Sequence, residues 1–77
     1  MQVTVRLEGH LREFFPKLHE PQTVAFTEPR TVAEIIEAVG MAASLPSSVL
    51  CNKQRVERDH MPADGDELVL LSPLAGG

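Results

Sequence analysis

The run Leu68-Val69-Leu70-Leu71, close to the end of the chain, restricts the fold more than any other stretch. It follows the turn signal Asp64-Gly65-Asp66, in which Gly65 is the residue best able to take a positive φ, so it reads as a strand opening at Glu67. Successive strand side chains point to opposite faces, and here both faces are apolar, the pattern of a strand covered on both sides. A helix can cover one face. A chain of 77 residues has little left for the other, because a domain of this size buries only about 60% of the surface its unfolded chain exposes. Two arrangements meet the need: a second protein lies on the outer face, or the strand runs mid-sheet with residues 11–18 folded over its back.

The remaining elements are short. Gln2-Val3-Thr4-Val5-Arg6-Leu7-Glu8 alternates polar and apolar residues, which sets Val3, Val5 and Leu7 on one face of a half-exposed strand. Gly9 and His10 break it, and residues 11–18 read as a helical turn or an irregular crossing interrupted by Pro16. Phe14 and Phe15 adjoin and cannot point the same way in regular structure, so one is expected in the core and the other at the surface. Residues 22–26 form a second strand, with Val24 and Phe26 on one side, antiparallel to the first. Thr31 followed by Glu34 is the pattern of a capping box, opening a helix whose Val32, Ile35, Ile36 and Val39 share a face while Glu34 and Glu37 meet water. Gly40 ends it. Val49-Leu50-Cys51 and Arg55-Val56 read as two very short strands.

Strand, strand, helix, short strands, turn and strand fold most economically as a two-layer α+β domain. The first and last strands lie parallel and adjacent in the middle of a small mixed sheet packed on one principal helix, joined through the crossover that contains it. This is the β-grasp, or ubiquitin-like, arrangement. Its core is expected to hold Val3, Val5, Ile35, Ile36 and Leu70.

Composition excludes several functions. With 43% hydrophobic and 23% charged residues the chain is an ordinary globular one, and its formal charge of −4 disfavours nucleic acid and favours a basic protein surface as partner. No apolar run approaches the roughly 20 residues that span a bilayer, and no basic-then-apolar leader opens the chain, so a cytoplasmic location is expected. One cysteine makes no internal disulfide. His10, His19 and His60 have no close ligand spacing to one another or to Cys51, so no metal site is expected, and Cys51 reads as a small buried hydrophobe. Asp59, Asp64, Asp66 and Glu67 read as turn formers and solvated charge. No triad, phosphate cradle or carboxylate pair is visible, so no independent active site is expected.

The end of the chain is the remaining place for chemistry. Residues 1–72 form the folded domain in this reading, and residues 73–77 a flexible tail. Pro73 stops the last strand and sends the chain out extended. Leu74 offers one apolar anchor, Ala75 almost no bulk, and Gly76 and Gly77 a bare backbone that fits a slot too tight for side chains.

Taken together, Val3 to Leu7, Leu11-Arg12-Glu13, Arg30-Thr31-Val32, Gly40, Asn52, the stretch from Asp59 to Glu67 and Pro73-Leu74-Ala75-Gly76-Gly77 resemble the ubiquitin-like sulfur carriers, most of all the small subunit of molybdopterin synthase. Ser72 departs from the proline frequent in that branch, and Cys51 from a plain aliphatic residue. The resemblance implies that a ubiquitin-activating-like adenylyltransferase uses ATP to adenylate Gly77, and that sulfur from a donor protein replaces AMP to leave a thiocarboxylate. The large subunit of molybdopterin synthase then receives the tail for dithiolene formation in molybdenum cofactor biosynthesis, with Pro73, Leu74, Ala75 and Gly76 positioning Gly77. No cofactor is bound permanently. Sulfur carriage for thiamine, cysteine or another pathway, or use as a protein modifier joined through Gly77 to a lysine, are the alternatives. Docking is expected through Val69 or Leu71 with Phe14 or Phe15.

Overall fold

The computed structural model describes residues 1–72; the expectations for residues 73–77 fall outside the described residues. The order of elements is β1 (Gln2–Leu7), α1 (Leu11–Phe14), a 3-10 turn (Pro16–Leu18), β2 (Gln22–Ala25), α2 (Val32–Ala38), β3 (Ser48–Cys51), β4 (Gln54–Val56) and β5 (Glu67–Leu71). The strands form one sheet in the order β2-β1-β5-β3-β4. β1 and β5 are parallel neighbours, in register from Thr4 opposite Glu67 to Leu7 opposite Leu70, and the other three pairings are antiparallel. The β-grasp expected from the order of elements is the fold found.

Alternation in β1 decides its orientation. Val3, Val5 and Leu7 are buried and join Val49, Cys51, Leu68 and Leu70 on the face that carries Leu11 and the α2 residues Val32, Ile35 and Ile36. All five expected core residues lie there. β2 is a residue shorter than its apolar pattern, ending at Ala25. Phe26 is nevertheless buried, and its backbone still bonds to Met1, N–H to carbonyl at 2.8 Å. Residues 52–54 separate the two short strands expected from the sequence, but the β3–β4 turn is tighter than that, because Gln54 belongs to β4. Asn52 and Lys53 alone make the turn, at φ 50° and 73°, the left-handed pair that matches the twist of a two-residue hairpin.

Helix α2 begins as the capping box requires. The Glu34 N–H donates to Thr31 Oγ1 at 3.2 Å, and the Thr31 N–H donates to Glu34 Oε1 at 2.9 Å. Two further N–H groups of the first turn, which have no partner inside the helix, find loop carbonyls: Val32 donates to His60 at 2.8 Å and Ala33 to Arg58 at 3.0 Å. The connection between β4 and β5 is thereby tied to the helix. Arg58 ties it to a second loop, donating from Nε to the Ala43 carbonyl at 2.8 Å and from Nη2 to the Pro46 carbonyl.

Residues 11–18 do not fold over the back of β5. Leu11 is fully buried in the core cluster, and Phe15 and Leu18 pack against it, so this segment extends the helical layer. The outward face of β5 carries Val69 and Leu71 half-buried, and among the described residues the apolar side chains Leu11, Phe15 and Leu18 pack on the opposite, core side. Among the described residues, no helix is long and apolar enough to cross a membrane.

Candidate functional site

The sheet face turned away from the helices is built by register. Val69 lies between Arg6 of β1 and Leu50 of β3, and Leu50 lies opposite Arg55 of β4. One step along, Leu71 pairs with Ser48. The face therefore carries an apolar strip of Leu50, Val69 and Leu71 with arginines on both flanks. Arg6 is engaged at the surface by Glu8 at 3.4 Å and Glu67 at 3.6 Å. Leu50 was not picked out from the sequence, although its place between the inward-facing Val49 and Cys51 carries the signal.

Phe14 and Phe15 divide as their adjacency requires: Phe14 is 64% exposed, whereas Phe15 packs on the core. Together with Pro16, Lys17, Leu18 and Val39 they line a recess in the helical layer. Val69 and Leu71 take no part in that recess, so the two pairs do not form one continuous patch.

Where β5 ends, the chain is held tightly. Ser72 is only 2% exposed. Its carbonyl accepts from the Ser47 hydroxyl, and the neighbouring Leu71 carbonyl accepts from the Ser47 N–H at 2.9 Å. On the other side stands Gly9 at φ +66°, where an added Cβ would lie 3.0 Å from Ser72 Cβ. Ser47 and Gly9 thus fix the point from which residues 73–77 depart. Neither role is visible in the sequence, since both depend on segments distant from the tail. The tail residues themselves, Pro73, Leu74, Ala75, Gly76 and Gly77, lie outside the described residues.

At the opposite end of β5, the structure brings together residues that the sequence separates. Cys51 Sγ, a His60 ring nitrogen and an Asp66 carboxylate oxygen lie within 4.8 Å of one another. The Cys51 thiol donates to Asp66 Oδ2 at 3.4 Å. Asp66 Oδ1 accepts from Asn52 Nδ2 at 2.9 Å, and Oδ2 also accepts from the Ala63 N–H at 2.8 Å. These donors, Asn52 first, hold the Asp66 carboxyl below its usual range. Burial, and then the Asp66 carboxylate beside it, push the Cys51 thiol up to about 11. Cys51 is therefore the buried thiol expected, protonated at neutral pH and a poor nucleophile. Asp64 and Asp66 are turn formers as expected, with Asp64 Oδ1 accepting from the Gln2 N–H at 2.7 Å. His60 is distant from Cys51 in sequence, and the loop that carries it returns to the Cys51 end of β3.

A five-stranded mixed sheet wrapped on one principal helix, with its last strand leading into the tail, defines a ubiquitin-like β-grasp protein. Residues 1–73 match the Mut7-C ubiquitin family, and the chain belongs to that family. No curated protein matches the sequence. Solved structures share the fold. The small archaeal modifier protein 1 of H. volcanii is 24% identical, with 95% of this chain and 98% of that one covered and a TM-score of 0.72. A putative molybdopterin converting factor subunit 1 from Pyrococcus furiosus is 16% identical, with 96% and 99% covered and a TM-score of 0.73. A complex of subunits 1 and 2 of the molybdopterin-converting factor from Helicobacter pylori contains a chain 20% identical, with 100% of both chains covered and a TM-score of 0.62.

Proposed function

We propose that this protein is a sulfur carrier that acts as the small subunit of a molybdopterin synthase, with residues 1–72 as the folded carrier and residues 73–77 as its tail. The observation that carries the reading is the clamped exit at Ser72, held between Ser47 and Gly9, which leads directly into Pro73-Leu74-Ala75-Gly76-Gly77. A fixed exit followed by a short narrow segment gives the Gly77 carboxylate a defined reach from the body, and reach and orientation are what such a carrier contributes to the reaction.

In this reading an adenylyltransferase joins the Gly77 carboxylate to the α-phosphate of ATP and releases pyrophosphate. Sulfide-level sulfur then attacks the acyl carbon, AMP leaves, and Gly77 becomes a thiocarboxylate. Gly76 and Gly77 thread the partner's slot, while Ala75, Leu74 and Pro73 set reach and direction. The strip of Val69 and Leu71 seats the large subunit, with Leu50 beside them, and Phe14 and Phe15 offer a second contact from the helical layer. The subunit pairing named for the Helicobacter pylori complex supports a large subunit as partner, and the formal charge of −4 suits a basic one.

The name of the small archaeal modifier protein favours a second reading, in which activated Gly77 is joined to a lysine. Incubation with ATP, a sulfur source and the activating enzyme of the same cell separates the two. The sulfur-carrier reading expects an intact mass in which one oxygen is exchanged for sulfur, and loss of that product when Gly77 is deleted or followed by an extra residue. An isopeptide product with no transient thiocarboxylate selects the modifier reading. A carboxylate left unmodified by a demonstrably active enzyme rejects both. Sulfur delivery to a pterin precursor, rather than to a thiamine or cysteine precursor, identifies the pathway.

A further inference from the structure

We propose that Cys51, His60 and Asp66 form a binding site for one divalent transition-metal ion of the zinc type, with a fourth coordination position open to water. The ligand set is the first argument: a thiolate, an imidazole and a carboxylate are the donors that zinc takes, and three protein ligands with one open position is a familiar arrangement for it. Distance is the second. Bonds of about 2.3 Å to sulfur and about 2.0 Å to oxygen at a tetrahedral angle place the two ligand atoms about 3.5 Å apart. Cys51 Sγ and Asp66 Oδ2 are already 3.4 Å apart, and a His60 ring nitrogen lies within 4.8 Å of Cys51 Sγ and of an Asp66 carboxylate oxygen. Only the imidazole has to close in. His60 is exposed, so its ring turns without disturbing the core.

The surroundings hold these ligands in place. Asp66 keeps the bonds from Asn52 Nδ2 and the Ala63 N–H, the outer contacts that orient a metal-binding carboxylate. Asn52 is itself fixed, its Oδ1 accepting from the Glu67 N–H at 2.9 Å. The His60 backbone is tied on both sides, its N–H to the Glu57 carbonyl at 3.2 Å and its carbonyl to the Val32 N–H at 2.8 Å. On binding, the ion takes the place of the thiol proton between Cys51 and Asp66. That proton leaves to solvent and the carboxylate loses only the bond that the proton supplied.

The ion would join the end of β3 to two points of the long connection between β4 and β5, His60 and Asp66, segments otherwise held at this point by hydrogen bonds. It lies at the far end of β5 from the tail. Asp66 and Ser72 are six residues apart, about 20 Å along an extended strand, so the ion acts on the body of the domain and takes no part in the chemistry at Gly77.

The test uses the full chain, reduced and metal-free, titrated with Co2+ and then with Zn2+ as competitor. The expected result is a thiolate-to-cobalt charge-transfer band saturating at one ion per chain, displaced by zinc, with a rise in the thermal midpoint that grows with free metal. Cys51→Ser should abolish the band. His60→Gln, at an exposed position, should leave the far-ultraviolet spectrum unchanged and weaken binding more than about tenfold, the lower end of what losing even an outer-sphere partner costs. A His10→Gln, His19→Gln double variant should bind like the parent. Absence of the thiolate band at saturating Co2+, or parent-like affinity in His60→Gln, overturns the assignment.

Discussion

Replacing Gly9 by alanine tests the clamp at the base of the tail. Two costs are expected. An L-residue in the left-handed region costs about 1–2 kcal/mol, and Gly9 is held there at φ +66°. The new Cβ would also stand 3.0 Å from Ser72 Cβ, inside the roughly 3.5–4.0 Å at which two carbons attract. Ser72 is fixed by its neighbours, so relief requires a shift of the chain, and overpacking of this kind costs about 1–3 kcal/mol. Together these come to about 3 kcal/mol, a large part of the roughly 3–5 kcal/mol that one small core supplies. Gly65→Ala is the matched control. It carries the same backbone penalty at φ +87° but meets nothing within 4 Å, so it should lose only about 1–2 kcal/mol. Urea unfolding of both variants, extrapolated linearly to water, gives the comparison. The excess loss in Gly9→Ala measures the close approach. Equal losses in the two variants would refute the claim that Gly9 is shaped around Ser72.

Four further outcomes are expected. Thr31→Ala removes the hydroxyl that accepts from the Glu34 N–H and should cost about 1 kcal/mol in the same unfolding assay; an unchanged midpoint would show that the box contributes nothing. Asp66 and Glu34 are both held below the usual carboxylate range, so their contribution is complete above about pH 5, where the unfolded carboxyls are ionised, and is lost as the pH falls from there through the lowered folded-state values; the urea midpoint should drop there, and Asp66→Asn should flatten the drop. The Cys51 thiol, pushed up from 9.0 to about 11, has about a hundredth of the ordinary thiolate population and should react with an alkylating agent that much more slowly in the native chain than in urea. Val69→Asp and Leu71→Asp should weaken binding to a large subunit at least tenfold with little change in the unfolding midpoint, since both lie on the outward sheet face; parent-like affinity in both would move the docking surface elsewhere.

Local sequence determined the elements whose causes are local. Thr31 and Glu34 are close enough to cap one another before any tertiary contact forms, and the spacing of Val32, Ile35 and Ile36 set the buried face of α2. Alternation in β1 and the doubly apolar β5 identified the two central strands, and the length of the connection between them required a crossover, so the β-grasp followed. Positions that depend on segments distant in the chain were decided only by the tertiary structure. Residues 11–18 could have covered either face of the sheet, and in the structure they lie on the core side, with Leu11 buried and Phe15 and Leu18 packed against the core. Ser72 gained its clamp from Gly9 and Ser47, which belong to the loops after β1 and before β3. Cys51, His60 and Asp66 met because β3 pairs with β5, while Arg58 and the first turn of α2 hold the intervening loop. Side-chain alternation and capping act over a few residues and leave their pattern in the sequence, whereas the meeting of a strand end with a distant loop depends on the sheet having formed.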